Sequence, residues 1–197
     1  MNHATRKLAH NRPHAAAAMR SLCAGLLLAG SASAQPVQNE TLMVAAPDGY
    51  TIANSGRRNN AEVTQMVPSG QNVNDWTEMV TVQIYPDVNA FTFNTYAAGL
   101  EERFKAACES AEAHALKRAE KNGYDTEYWE LNCQVKDGAH TPSVTWFKML
   151  RGNDRLYVVL KAFLMEPSKE QIKTTAQYLK NISVCDTRLK DRPCVAR

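Results

Sequence analysis

The chain lacks most of the pieces on which recognisable chemistry is built. It has no Gly-x-Ser-x-Gly turn, so the nucleophile elbow of an acyl-transfer enzyme is missing. It has no Gly-rich phosphate loop, which removes the common nucleotide cradle. No Cys-x-x-Cys occurs, so thioredoxin-like exchange has no motif to act through. Histidine is scarce: of five, only His114 and His140 lie beyond residue 34. The apolar run Leu22 to Ala29 is far short of the ~20 residues that cross a bilayer, so no membrane span is expected.

What is present begins at the N-terminus. Arg6, Lys7, Arg12 and Arg20 precede that apolar run, and Gly30-Ser31-Ala32-Ser33-Ala34-Gln35 follows it. A basic region, a short apolar region and an Ala-x-Ala site are the anatomy of a secretory signal, with cleavage expected between Ala34 and Gln35. Met19-Arg20 followed by the apolar run is a complete short signal, so Met19 is an alternative start. Cys23 is not placed for lipidation, because Leu26, Leu27 and Leu28 come after it. The expected division is a signal peptide, 1–34, and one domain, 35–197, long enough to bury its own core. The expected location is the periplasm.

Removing the signal changes the electrostatics. Four of 23 Lys and Arg residues are lost and none of 20 Asp and Glu, so the net charge falls from +3 to −1. The basic character belongs to the leader, and no nucleic-acid partner is expected.

Four cysteines remain, Cys108, Cys133, Cys185 and Cys194, and an even count in an exported chain reads as two disulfides with three possible connectivities. Phe93, Ala97, Leu100, Phe104 and Cys108 recur at helical spacing, predicting a helix over 89–110 with Cys108 on its buried stripe. Cys133 shares strand parity with Trp129 and Leu131. Both sulfurs should face one core, so Cys108 is paired with Cys133 and, by elimination, Cys185 with Cys194. The second bridge closes the C-terminal tail, 185–194. Gly99 inside the helix is expected to mark a close contact, since glycine there costs about 1 kcal/mol.

Strand signals fill much of the rest. Thr41 to Ala45 is short and apolar, and Tyr50 to Asn54 and Ala61 to Val67 flank a polar turn over 55–60. Trp76 to Tyr85 alternates, with Trp76, Val80, Val82 and Ile84 on one face and Glu78 as an exception there. Residues 112–121 favour helix by composition, yet Asn122-Gly123 is a strong hairpin signal, and a hairpin is the expectation. With that turn, Arg118 falls opposite Glu127 and Leu116 opposite Trp129. Val144 to Leu150 and Leu156 to Met165 flank another turn. The second of these is apolar on both faces, Leu156, Val158, Leu160 and Leu164 against Tyr157, Val159, Phe163 and Met165, which predicts a central strand. Ser168 and Gln171 form a capping box for a helix to about Asn181, with Ile172, Ala176 and Leu179 inward.

Few residues present themselves as a site. Trp76 follows the polar loop Asn72 to Asp75, where a binding rim would sit, and His114 is the other candidate. Glu112 and His114 opposite Cys133, with Asp125 and Glu127 further along the hairpin, spread too far in register for a metal. No catalytic residue, metal or cofactor is expected.

Asn74-Asp75-Trp76-Thr77-Glu78-Met79-Val80-Thr81-Val82-Gln83, Thr145-Trp146-Phe147-Lys148, Tyr157-Val158-Val159 and Val184-Cys185-Asp186-Thr187-Arg188 together resemble a group of uncharacterised exported proteins of Gram-negative bacteria. The resemblance carries no assigned activity. The order of elements is similar to the PsbP-like fold, named for a photosystem extrinsic subunit, and implies an α+β layered sandwich: an antiparallel sheet with two main helices packed on it. The expectation is a soluble, monomeric periplasmic protein with a binding or accessory role toward a protein or small ligand. The alternatives are a secreted hydrolase with a site assembled by the fold, and an inhibitor or immunity-type partner protein.

Overall fold

Alternating strands punctuated by turn residues, with two capped helices, make up the computed structural model, which describes residues 39–137 and 140–194. The expected signal peptide and its Ala34/Gln35 cleavage point lie outside the described residues. The described elements belong to one compact unit, Pro36–Arg197. In chain order they are β1 (Glu40–Met43), β2 (Tyr50–Arg58), β3 (Ala61–Pro68), β4 (Glu78–Tyr85), α1 (Phe93–Ala107), β5 (Cys108–Lys121), β6 (Tyr124–Val135), β7 (Val144–Arg151), β8 (Leu156–Phe163), α2 (Lys169–Asn181) and β9 (Ser183–Asp186).

Seven strands form one antiparallel sheet in the order β2-β3-β4-β8-β7-β6-β5, and β1 pairs with β9 in a separate ribbon. The doubly apolar strand β8 is the fourth of the seven, the central place its two buried faces require. Its Tyr157, Val159 and Phe163 join Val80, Val82, Trp146 and Leu150 in a core closed by Leu179 of α2 and by the β1-β9 ribbon. Its Leu156 and Val158 join Trp129, Phe147 and Met149 in a second core under Leu100 of α1. The helices therefore cover opposite faces of a mostly antiparallel sheet.

Several local expectations shift. Helix α1 is shorter than 89–110: Thr92 caps it, its hydroxyl accepting from the Thr95 N–H at 3.1 Å. Cys108 is extended and pairs with Val135, so the β5 ladder takes the residue that the periodicity assigned to the helix. Gly99 faces open space rather than a close contact. The first hairpin runs further than expected, because Asn59 and Asn60, at φ 48 and 63, make a tight two-residue turn and leave residues 55–58 to β2.

In the second hairpin Asn122 and Gly123 turn at φ 52 and 74, and Arg118 does oppose Glu127. Leu116 does not oppose Trp129. A register shift between Ala115 and Lys117 puts Ala115 there instead. Trp76 does not share the Val80 face, because regular pairing begins only at Glu78; it packs with Val67 and Met79. The capping box of α2 is present in both directions. Its inward face is Thr175 and Leu179, while Ile172 and Ala176 are exposed, since the first turns of this helix stand over clefts rather than over close-packed core.

Two clasps hold the ends. Cys108 and Cys133 are bridged, as are Cys185 and Cys194, with Cα separations of 5.6 and 4.9 Å. The buried Glu40 carboxylate accepts backbone N–H groups of Asn153, Asp154 and Arg155 and the Tyr157 hydroxyl. Gly152 is required beside it, because a side chain there would collide with the Glu40 carboxylate. Asp186, fully buried, accepts hydrogen bonds from the Arg188 guanidinium and backbone N–H, which hold its carboxyl at about 2.

Candidate functional site

Polar residues interrupt the apolar face beneath α2: Lys148 of β7, whose ammonium donates to the Leu179 and Ile182 carbonyls, and a pair on β4 and β8. Glu78 is the exception on the Val80 face of β4, and Lys161 falls between Val159 and Phe163 on β8. In the register of these neighbouring strands Glu78 lies opposite Phe163 and Lys161 opposite Val80, so the two exceptions sit diagonally adjacent. Their side chains meet: Lys161 Nζ is 2.6 Å from Glu78 Oε2, with the lysine side chain 7% exposed and the glutamate 21%. Lys161 also donates to the Tyr50 hydroxyl. Its ammonium lies 4.3 Å from the Tyr50 ring centroid and 5.0 Å from that of Phe163.

This trio lines a cleft of about 530 Å³ between α2, the loop over 44–49 and the sheet. Other clefts among the described residues measure 320 to 360 Å³. Buried Thr175 and half-buried Tyr178 bring α2 to the wall. The Tyr178 hydroxyl donates to the Ala45 carbonyl at 2.9 Å, tying the helix to the loop. Asp48 stands on the loop side.

Burial sets the electrostatics. It lowers the proton affinity of Lys161 below the ordinary lysine range, against the opposing pull of Glu78. It raises the Tyr50 hydroxyl, and Glu78 raises it further, so Tyr50 stays protonated. The Tyr178 hydroxyl is pushed to about 12 by burial. A buried ion pair is weak evidence for stability, since the desolvation of both ions offsets their attraction. Placed at an accessible cleft, it offers a ligand one cation, one carboxylate and one hydroxyl donor within a few ångströms.

The residues singled out from sequence lie elsewhere. Trp76 is only 8% exposed and meets His140 edge-on, ring centroids 5.5 Å apart. His114 is on the edge strand β5, its Nε2 3.4 Å from Glu112. Four steps in sheet order separate β5 from β4, so the fold does not bring Trp76 and His114 together. Among the described residues, no cluster of three or more His, Cys, Asp or Glu side chains suited to a metal occurs, and no helix is long and apolar enough to cross a membrane. Sequence reasoning missed Lys161, which the picture of β8 as apolar on both faces passes over. The available signal was the pair of polar exceptions, Glu78 and Lys161, on otherwise apolar strand faces.

The class that the fold defines is a layered α+β domain with helices on both sides of an antiparallel sheet. No family model matches the sequence, and no curated protein matches it. Among solved structures, the chain is similar to the solution structure of cyanobacterial PsbP (CyanoP) from Synechocystis sp. PCC 6803, at 12% identity and a TM-score of 0.43. The match covers 77% of this chain and 94% of that one. A likeness at that level lends no argument about role.

Proposed function

We propose that this is an exported, disulfide-stapled protein of the periplasm that binds a small polar molecule in the cleft over Lys161, Glu78 and Tyr50, as a non-catalytic binding or accessory protein. The observation that carries the reading is the Lys161–Glu78 pair, desolvated by the fold yet open to a cleft of about 530 Å³. An ion pair buried for packing alone is replaceable by apolar groups, whereas one at a cleft floor keeps a reason to be polar. Export rests on the leader sequence, and the two bridges suit an oxidising compartment. The likeness to uncharacterised exported proteins of Gram-negative bacteria agrees with this and adds no activity.

The test is a thermal-shift screen of small sugars, amino acids and polyols against the protein purified from the exported fraction. The expected result is a ligand that raises the melting temperature of the native protein and loses its effect in the double variant Lys161→Met with Glu78→Gln. That variant removes both charges together and so avoids stranding one of them. A ligand shift unchanged in the double variant would move the site elsewhere. Steady turnover of the ligand would favour the hydrolase alternative instead.

A further inference from the structure

We propose that Lys161 captures the carbonyl group of a short, neutral hydroxyaldehyde as an imine, so that the cleft holds its ligand covalently and reversibly. This rests on reading the cleft as a ligand site. The geometry supplies the parts that imine formation needs. The amine lies at a cleft, beside an acceptor for its proton and a hydroxyl donor for the carbonyl oxygen. Lys148, also buried, donates to the carbonyls of Leu179 and Ile182 and does not line this cleft.

The step balances without an oxidant or reductant. The Lys161 ammonium passes a proton to Glu78, 2.6 Å away. The freed nitrogen lone pair forms the C–N bond, and the carbonyl π pair moves to oxygen, which takes a proton from Tyr50. Tyr50 is restored by a proton from the nitrogen, leaving a carbinolamine. Glu78 returns its proton to the carbinolamine hydroxyl, which leaves as water while the C=N bond forms. The product is a protonated imine beside a Glu78 carboxylate, so the charge layout of the empty cleft is recovered and the site pays no new desolvation. Burial favours the start of the sequence by lowering the lysine's hold on its proton, and it keeps Tyr50 protonated as the donor.

The walls indicate the class of carbonyl compound. Hydroxyl and amide side chains of Gln171, Thr174 and Gln177 face the cleft and suit hydroxyl groups. Glu78 and Asp48 line it too, and two carboxylates against one lysine disfavour an anionic keto acid.

The experiment is reductive trapping. The purified protein is incubated with glycolaldehyde and sodium cyanoborohydride, then analysed by intact mass and peptide mapping. The expected result is one adduct per chain, at Lys161, forming about tenfold faster than at exposed Lys105 or Lys169. Lys161→Arg, which keeps the cation and the ion pair, should remove the fast adduct, and Glu78→Gln should slow it. Labelling of Lys105 and Lys169 as fast as Lys161 in the native protein overturns the proposal, and needs no variant to read. A small molecule that gives a Lys161-dependent thermal shift while Lys161 stays unlabelled overturns the imine and leaves the binding reading standing. Fast labelling at Lys161 upholds both.

Discussion

Single residues in this protein show how context decides energetic sign. Lys161 and Glu78 together sit comfortably under α2, but removing either alone leaves an uncompensated buried charge, a loss on the order of 3–5 kcal/mol. Gly99 is the opposite case. No atom would come within 4 Å of a side-chain carbon there, and the residue lies inside α1. Gly99→Ala should therefore stabilise the protein by about 1 kcal/mol, through a less flexible unfolded chain and better helix propensity. Equilibrium urea unfolding checks this, and a lowered midpoint would mean that the glycine has a role the packing does not reveal. Gly152 and Gly123 are different again. The first leaves room for the Glu40 carboxylate, and the second combines φ 74 with the side chain of Arg192 directly above it.

At the scale of elements, end signals proved more informative than composition. The capping box at Ser168 and Gln171 started α2 where the sequence placed it. Ser168→Ala removes the acceptor for the Gln171 N–H and should cost about 1 kcal/mol. The loss should appear as a lower melting temperature in thermal unfolding. Asn122-Gly123 likewise overruled the helix-favouring composition of 112–121, since two residues at positive φ specify a hairpin and helix propensity is only a weak prior. What end signals could not supply was register inside a strand. The shift between Ala115 and Lys117 and the loss of Cys108 from α1 to β5 depend on which partner the ladder meets. The inward face of α2 escaped as well, because periodicity names a stripe but not where the sheet beneath it gives way to a cleft.

Across the described residues the sheet is buried on both faces at its centre and fastened at its margins. The bridge between Cys108 and Cys133 closes a segment of sequence separation 25, so replacing both cysteines by serine should cost about 3 kcal/mol, read as a lower denaturant midpoint. Burial also governs the alkaline limit. All seven tyrosines are raised above their ordinary value, with Tyr178 at about 12. A hydroxyl raised in the folded state contributes stability that is whole below the unfolded value and is lost as pH rises through the folded one. The tyrosinate absorbance should therefore stay low past about pH 10 and rise together with loss of circular dichroism. Several phenols titrating near that pH with the native spectrum intact would contradict the buried placements.

By itself the sequence determined the local devices: the turn at Asn122-Gly123, the cap at Ser168, the central place of the doubly apolar strand and the partners of all four cysteines in 35–197. These are legible because each depends on backbone preference or on which face a side chain takes, and both repeat along the chain. Only the tertiary structure decided the candidate site. Glu78 and Lys161 are 83 positions apart in number, and nothing local says that one polar exception meets the other. The pairing of β4 with β8 makes them neighbours, and the placement of α2 turns their contact into the floor of a cleft. Proximity between distant strands is a property of the sheet order, which no local pattern encodes.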